Sequence, residues 1–406
     1  MAIDSKMSKI KVFNDPIYGL ITFPSELIYE LIDHRFFQRL RRISQVGLSS
    51  LVYPGAVHTR FHHSMGVAHL CSELILNLRL KGVDISDEEY EATCAAALLH
   101  DIGHGPFSHA LEKKILPISH EEITLKMMHL LDAEFEGKLK LTIQIFQNKY
   151  ERPFLYQMLS SQLDVDRMDY LSRDSYYSGV VEGVIGYDRI VKMMTVHNGH
   201  LVVEAKGRYS VDKFFMSRHL MYRQVYLHKT AISAESMLVS FFNEYQETVK
   251  DPKSILDRLI LSGDSQSDDS LEEFALLDDN DIIMLLKNHV ADKNFICRYM
   301  ATGILNRRLL RTVFNEHPIS GDFITSLRHK TENLLKISPT EASKTVIVGM
   351  DSHQVYDNTA PIMILKRDGR AEKYLPMIEI APTGTYSQTN YISYPKELKI
   401  LSLIHI

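Results

Sequence analysis

The adjacent pair His100-Asp101 is the clearest candidate for chemistry in this 406-residue chain. Neighbouring residues on a helix point about 100° apart, so one metal ion beside the helix can take an imidazole nitrogen and a carboxylate oxygen together. His63 upstream and Asp166 downstream would extend the set to two histidines and two aspartates. That mixture suits one divalent ion of iron, zinc or manganese, and suits magnesium less well. Each residue alone is more often a surface, capping or loop residue, so the metal site depends on all four occurring together.

Two capping boxes predict helices on either side of the pair. In the first, Ser86 and Glu89 open an alanine-rich helix that runs into His100 and stops at the nearby glycines. In the second, Ser119 and Glu122 open a helix that extends for about three turns. The histidine–aspartate pair is therefore expected at the end of the first of these helices.

The rest of the sequence predicts a mainly α fold with a small α/β appendage at the C-terminus. We expect one helical domain over residues 1–335 and a small strand-containing region over 336–406. Periodicity and turn residues predict these further elements: helices over 27–46, about 161–173 and about 212–245, a hairpin turning at Asn198-Gly199, an exposed acidic loop over 263–279, strands over 345–348 and 362–365, and a turn at 368–369.

Composition narrows the class of protein. We find no apolar run of bilayer length and no signal peptide, so no membrane association is expected. The three cysteines lack disulfide or metal-ligand spacing, which fits a reducing cytoplasm. The net charge of −5 argues against a chain that coats nucleic acid, so such a partner is left open but not favoured.

The order of these motifs resembles the HD-domain superfamily, in which one helix carries a histidine, the next carries His-Asp and a later one carries an aspartate. Within that superfamily the chain is similar to the deoxynucleoside triphosphate (dNTP) triphosphohydrolases. The shared segments are collinear and lie within residues 10–235, at 11–19, 37–41, 53–56, 58–61, 100–109 and 163–174. The resemblance implies an HD-type helical core, hydrolysis of dNTPs, and one metal ion held by His63, His100, Asp101 and Asp166.

The same resemblance implies roles for residues around the ion. His109 and His120 would sit beside the α-phosphate, and His104 and Glu112 join them as catalytic candidates. Histidine suits proton transfer to a leaving alkoxide near neutral pH. Judged from its position alone, His120 is better explained as an ordinary residue of the first helical turn.

Substrate contacts are implied in two groups. The first would bind phosphates or line the nucleotide pocket, and it comprises Arg60, Arg167, Arg218, Tyr222 and Lys229. The second would select the sugar, with Tyr170 packing on it, Asp174 and Gln45 at the 3′-hydroxyl, and Tyr226 crowding the 2′ position. The stripe from Arg218 to Lys229 is also what a partly buried helix face looks like.

Some positions depart from the animal members of that family. Arg167 replaces a lysine, Glu112 an aspartate, Tyr222 a histidine and His62 a glutamate. These changes leave the metal set intact and put the base preference and the identity of the general acid in doubt.

The animal enzymes are activated by nucleotides bound between subunits. The matching positions here are Lys11, Asp33, Gln38 and Arg41, and they hold the same residue types. The resemblance implies a homo-oligomer, a dimer or tetramer, with dNTP or GTP as regulator. An ordinary N-terminal helix with surface ion pairs explains these four residues equally well.

Two alternatives to a dNTP triphosphohydrolase remain. One is another HD phosphohydrolase acting on nucleoside monophosphates, cyclic nucleotides or alarmones. The other is a nucleotide-gated scaffold or single-strand nucleic-acid binder with little catalysis. The cations Arg167, Arg218 and Lys229 favour a long polyphosphate over the first, and the complete ligand set argues against the second.

Overall fold

The computed structural model describes residues 11–23, 25–353, 356, 359–376 and 387–398. These residues form a mainly helical fold, as predicted. No helix among them is long and apolar enough to cross a membrane. The helices are α1 (Glu26–Asp33), α2 (Arg35–Gln38), α3 (Arg60–Leu80), α4 (Asp87–Leu99), α5 (Ser108–Leu111), α6 (His120–Glu134), α7 (Lys140–Phe146), α8 (Pro153–Leu159), α9 (Val165–Ser178), α10 (Tyr187–Met193), α11 (Arg208–Met221), α12 (Lys229–Thr248), α13 (Ile255–Ser262), α14 (Asp268–Ala275), α15 (Asp279–Asn288), α16 (Phe295–Leu305), α17 (Gly321–Leu335) and α18 (Pro339–Thr345).

Short strands in the described part of the chain form three small sheets. They are β1 (Phe13–Asp15), β2 (Gly19–Ile21), β3 (Met194–His197), β4 (His200–Glu204), β5 (Arg311–Asn315), β6 (Ile347–His353), β7 (Met363–Leu365), β8 (Ala371–Lys373) and β9 (Ser387–Tyr394). The sheet orders are β1-β2, β3-β4-β7-β8 and β5-β9-β6. All pairs are antiparallel except β4 with β7, where Val203 lies opposite Ile364. The late strand β7 therefore extends the predicted hairpin.

Helices α3, α4 and α9 form the centre of the fold. Gly66 lets α3 and α9 approach closely, because a Cβ there would lie 2.0 Å from Oδ1 of Asp169 on α9. Both predicted capping boxes are present: the Ser86 hydroxyl accepts from the amide of Glu89 at 3.1 Å, and that of Ser119 accepts from the amide of Glu122 at 3.2 Å. The two boxes thereby fix where α4 and α6 begin.

The helix predicted over 27–46 is wrong beyond its first two turns. The backbone is extended at His34, and the His34 ring accepts a hydrogen bond from the amide of Phe36, which lies in the separate helix α2. A 3-10 turn over Arg39–Arg42 comes next. The pattern of apolar residues continues through the break, so periodicity alone could not reveal it.

Two other predictions differ from the structure, one on where a helix begins and one on an exposed loop. Helix α9 starts at Val165, later than predicted, because Asp164 caps it by accepting from the amides of Ser161 and Arg167, each at 2.8 Å. Residues 263–279 are not an exposed loop. They contain α14, which buries Leu271 and Phe274 against the main core.

The helix predicted over 212–245 is divided in two. A π-helical turn at Tyr222–Tyr226 comes after α11, and an extended residue, His228, caps the start of α12. Lys229 therefore does not continue the helix face of Arg218 and Tyr222. Such π turns are frequent at functional sites, because they change the direction of the side chains.

The predicted hairpin at Asn198-Gly199 is confirmed, with both residues at positive φ. The strand predicted over 345–348 starts later, since α18 extends to Thr345. The strand predicted over 362–365 is present as β7, and Gly369, at φ +82°, turns the chain into β8.

Candidate metal centre and substrate pocket

His63, His100 and Asp101 converge where α3 meets the end of α4. One ligand atom from each lies within 4.8 Å of the others, which is a spacing that one metal ion can bridge. Nε2 of His100 lies 3.3 Å from Oδ1 of Asp101, and Nε2 of His63 lies 3.8 Å from Oδ2 of the same carboxylate. The structure thus brings together three of the four predicted ligands.

Asp166, in the first turn of α9, faces the same point. Its Oδ1 lies 3.0 Å from Nε2 of His63 and 3.7 Å from Nε2 of His100. Burial alone would raise the pKa of Asp166, but the two imidazoles hold it well below its usual range. An ionised carboxylate is the form that binds a cation.

The outer nitrogens of both histidines are occupied. Nδ1 of His63 lies 2.8 Å from Asp169, and Nδ1 of His100 lies 2.8 Å from the carbonyl oxygen of Ala97. Each Nε2 is therefore directed inward, as is usual for metal-binding histidines. Nε2 of His100 is buried and makes no hydrogen bond within the described residues. An unpaired buried imidazole nitrogen beside two carboxylates fits a divalent ion.

A group of three histidines adjoins the metal residues. The rings of His104 and His120 stack with centroids 3.9 Å apart, and His109 packs edge-on against both. Nε2 of His104 lies 3.3 Å from Oδ1 of Asp101. Glu112 accepts from Nδ1 of His120 at 2.8 Å. All four residues predicted as catalytic therefore belong to one connected group beside the candidate metal ligands.

The pKa of His109 is lowered to about 4, by burial first and then by the nearby charges of Arg60 and His120. The same effects of burial and Arg60 hold the pKa of His104 well below its usual value. Hydrogen bonds from His120 lower the pKa of Glu112, although its partial burial acts in the opposite direction. A pKa of about 4 leaves His109 uncharged at neutral pH.

Arg60 connects the metal ligands to α5. It is buried, with Nη1 donating to Oδ2 of Asp101 at 2.6 Å and Nε donating to the hydroxyl of Ser108 at 2.8 Å. Its charge therefore lies directly beside the metal residues and the predicted acid His109.

Three of the four predicted sugar residues, Tyr170, Asp174 and Tyr226, lie on α9 and the π-helical turn. The Tyr226 hydroxyl donates to Oδ2 of Asp174 at 2.6 Å, and the Tyr226 ring packs edge-on against Tyr170 at 6.1 Å between centroids. His58 lies 2.7 Å from the other oxygen of Asp174. The side-chain oxygen of Gln45 is buried and has no hydrogen-bond partner in the described part of the chain.

The other predicted phosphate-binding cations, Arg167, Arg218 and Lys229, lie in different surroundings. Nε of Arg167 donates to the carbonyl oxygen of Ser161 at 2.8 Å, and Asp164 raises the pKa of Arg167. The guanidinium carbon of Arg218 lies 5.7 Å from the ring centroid of Tyr222. Lys229 is exposed at the start of α12. Lys229 is therefore separated from the Arg218–Tyr222 pair by the helix break.

Two regions of the chain match described families. The HD domain model matches residues 60–174, and the HD associated region model matches residues 185–337. The chain belongs to the HD domain family. The HD-type helical core predicted from the sequence is thereby confirmed.

Proteins similar to this chain support its assignment as a phosphohydrolase. A solved phosphohydrolase from Bacteroides thetaiotaomicron is 41% identical with a TM-score of 0.90, and the match covers 95% of this chain and 100% of that one. The uncharacterized protein YwfO of Bacillus subtilis is 30% identical over 97% of this chain and 94% of its own length. The deoxynucleoside triphosphate triphosphohydrolase SAMHD1 homolog of Dictyostelium discoideum is 34% identical over 62% of this chain. This chain spans about half, 54%, of that enzyme's length.

Several residues of the HD site were not predicted from the sequence. Asp169 orients His63, and His58 orients Asp174. Asp169 lies three residues after Asp166, at helical spacing, which was a usable signal. Asp279 and Arg39 bind the backbone around the histidine group from distant parts of the sequence, and no local pattern indicates that.

The four predicted regulatory residues form two contacting pairs in the N-terminal part of the chain. Lys11 pairs with Asp33, and Nε of Arg41 donates to Oε1 of Gln38 at 2.9 Å. Gln38 in turn donates to the carbonyl oxygen of Ile32 at 2.7 Å, and Arg41 lies 3.6 Å above the ring of Phe61. Their proximity fits a nucleotide site and also fits ordinary surface pairing.

A cavity of about 630 Å³ adjoins the group of three histidines at His109. It lies between α12 and the β5-β9-β6 sheet, and its lining includes His109, Glu235 and Asp351. Burial, and secondarily the charge of Asp351, raise the pKa of Glu235 to about 7.

Proposed function

We propose that this chain hydrolyses dNTPs at the α-phosphate and releases a deoxynucleoside and triphosphate. One observation carries the proposal: α9 supplies Asp166 to the metal residues and Tyr170 and Asp174 to the contacts of Tyr226. A metal site and a candidate sugar site therefore share one rigid helix, which sets a fixed separation between them. The likeness to triphosphohydrolases of the HD family supports this assignment.

His63, His100, Asp101 and Asp166 would hold one divalent ion, of iron, zinc, manganese or magnesium. Such an ion supplies Lewis acidity toward water and a phosphoryl oxygen. The protein residues supply the rest of the chemistry: they bind and orient the nucleotide, and they provide the proton for the leaving group.

Water attacks the α-phosphorus, and the bond from phosphorus to the 5′-oxygen breaks. The leaving oxygen needs a proton, and His109 is the candidate donor because it belongs to the histidine group beside the metal residues. Polyphosphate near His109 would raise its pKa and so supply the charged form. Arg60, Arg167, Arg218 and Lys229 would hold the outgoing triphosphate.

Deoxyribose would be selected at the Asp174–Tyr226 pair. The carboxylate of Asp174 keeps free lone pairs for the 3′-hydroxyl, and the unpaired oxygen of Gln45 offers a second acceptor. The Tyr226 ring would crowd a 2′-hydroxyl. His104, His120, Glu112 and Tyr222 complete the proposed surroundings of the substrate.

We further propose a homo-oligomer, dimer or tetramer, with dNTP or GTP bound as regulator by Lys11, Asp33, Gln38 and Arg41. Support comes from the two contacting pairs, Lys11 with Asp33 and Gln38 with Arg41, and from the hydrogen bond of Gln38 to the carbonyl oxygen of Ile32, the neighbour of Asp33. The division into a domain over 1–335 and a region over 336–406 remains a prediction.

A product analysis tests the proposed reaction. The purified protein, loaded with Mn²⁺, is incubated with dNTPs, NTPs, nucleoside monophosphates and cyclic nucleotides in ¹⁸O-labelled water, and the products are separated by ion exchange. Intact triphosphate that carries the label, with unlabelled deoxynucleoside, is expected. Pyrophosphate or orthophosphate as the first product, or label in the nucleoside, would contradict it.

A further inference from the structure

The turn before His109 has an unusual backbone. Phe107 and Ser108 have φ of +45° and +21°, and neither is glycine. The left-handed region is disfavoured for residues with a Cβ, and two successive residues there persist only where surrounding contacts fix them. Because His109 is the next residue, whatever fixes this turn also fixes His109.

One carboxylate from a distant helix binds this turn. Oδ1 of Asp279 accepts a hydrogen bond from the amide of Phe107 at 2.8 Å. Asp279 is the first residue of α15, in the region that matches the HD associated model. It is 8% exposed, so water cannot readily replace this contact.

The other oxygen of Asp279 binds the segment that carries Gln45. Oδ2 of Asp279 accepts from the amide of Ser44 at 2.8 Å. Gln45 is the next residue, and its own amide donates to the carbonyl oxygen of His58 at 3.0 Å. A single buried carboxylate therefore joins the backbone beside the candidate acid to the backbone beside a candidate sugar ligand.

The helix of Asp279 does not need this carboxylate as its cap. The preceding residue, Asp278, has that role: its side chain accepts from the amide of Asn280 at 2.9 Å and receives a hydrogen bond from Arg42. The two neighbouring aspartates thus have separate roles: Asp278 caps α15, and Asp279 binds the two site segments.

We propose that Asp279 is a positioning residue that fixes His109 relative to Gln45, and so aligns the proton donor with the sugar of the substrate. The proposal rests on the proposed function. It makes the HD associated region part of the catalytic machinery, acting through backbone amides of the HD site.

The kinetic test compares Asp279→Asn and Asp279→Ala with wild type, and uses Asp278→Asn as the matched control on the same helix. Misplacement of His109 should lower kcat for dGTP by about 10- to 100-fold in the Asp279 variants with metal content unchanged. The analogue with sulfur in place of the bridging 5′-oxygen leaves as a thiolate and needs no proton. Hydrolysis of this sulfur analogue should therefore be slowed far less than hydrolysis of dGTP in the Asp279 variants. The same difference between the two substrates is expected in His109→Gln.

A second measurement does not depend on any dNTP activity. Hydrogen–deuterium exchange of peptides covering 102–111 and 43–48 should be faster in Asp279→Ala than in wild type, and unchanged in Asp278→Asn. If exchange is faster in Asp279→Ala but the wild type hydrolyses no dNTP, the proposed function is wrong and the positioning role of Asp279 is supported. Wild-type exchange and rates in both Asp279 variants, or equal losses on the oxygen and sulfur substrates, would overturn the positioning role.

Discussion

Oδ2 of Asp169 lies 2.8 Å from Nδ1 of His63, and this contact decides which His63 nitrogen faces the metal residues. Asp169 is itself held by Tyr18, which donates to it at 2.8 Å, and by two donors of Arg173 at 2.9 Å each. Both of its carboxylate oxygens are thus directed by neighbours. The sequence of contacts from Arg173 through Asp169 to His63 makes a candidate ligand rigid before any ion binds.

Asp169→Asn should weaken metal binding by about 10- to 100-fold, because the amide no longer orients His63 with a full negative charge. Equilibrium dialysis with Mn²⁺ measures the change. Asp257→Asn, which alters another buried aspartate in a helix cap far from the site, serves as control for general destabilisation. Equal losses of affinity in both variants would remove the specific role of Asp169.

His100→Ala and Asp166→Ala should each abolish turnover and reduce the metal content from one ion per chain to far less. His100 supplies an inward nitrogen that makes no hydrogen bond within the described residues, and Asp166 lies near both imidazoles. Metal analysis and circular dichroism of the purified variants provide the measurement. Full activity in either folded variant would exclude that residue as a ligand.

Tyr226→Ala should reduce the preference for dGTP over GTP, because it removes the ring that would crowd a 2′-hydroxyl. A buried 2′-hydroxyl without a partner costs about 1–3 kcal/mol, so the preference should fall by roughly 10- to 100-fold. Tyr226→Phe keeps the ring and loses only the hydroxyl that donates to Asp174, so it should leave the preference nearly unchanged. Ratios of kcat/KM for the two nucleotides measure it. Tyr245→Phe removes a similar buried hydroxyl-to-carboxylate bond elsewhere and should leave the ratio unchanged.

Glu235 should make the fold less stable as the pH rises. Its pKa in the folded chain, about 7, exceeds that of an ordinary glutamate, so folding favours the protonated form. The contribution of the protonated Glu235 carboxyl to the free energy of unfolding is complete below about pH 4.3 and is lost as the pH rises through 7. We expect Glu235→Gln to be more stable than wild type at pH 8, by about 1–2 kcal/mol, and similar to it at pH 4.5. Urea unfolding at both pH values tests this, and a constant difference would contradict it.

Asp33→Asn should remove the response to a regulatory nucleotide without affecting the metal residues, because it breaks the ion pair with Lys11. Sedimentation and rate measurements with and without GTP would detect the change. If wild type itself shows hyperbolic kinetics and an unaltered size with every nucleotide tested, the regulatory assignment is wrong.

Residues that act through local spacing could be predicted from the sequence. His100-Asp101 and the capping boxes of Ser86 and Ser119 are examples, because each depends on neighbours within one helical turn. The resemblance then connected His63 and Asp166 to them. Contacts made through space were missed: Asp279 reaches the turn at Phe107 from a helix far along the chain, and nothing in its local sequence indicates that target.

The wrong helix boundaries have local causes that the pattern of apolar residues does not record. His34 can end a helix because its ring accepts from the chain beyond, which apolar periodicity does not record. In α14 the many acidic residues obscured Leu271 and Phe274, whose burial decides the structure. The π turn at Tyr222–Tyr226 preserves helical spacing in the sequence, but it rotates the residues of α12 relative to those of α11.

The parallel pairing of β4 with β7 has a consequence for shortened forms of the protein. A chain cut after α18 would lose β7 and β9, so that β4 would have a bare edge and β5 would have no partner. Unpaired strand edges recruit other chains, and such fragments should aggregate even with every proposed ligand of the metal present. Solubility of the helices that carry the proposed site would thus depend on strands far along the chain.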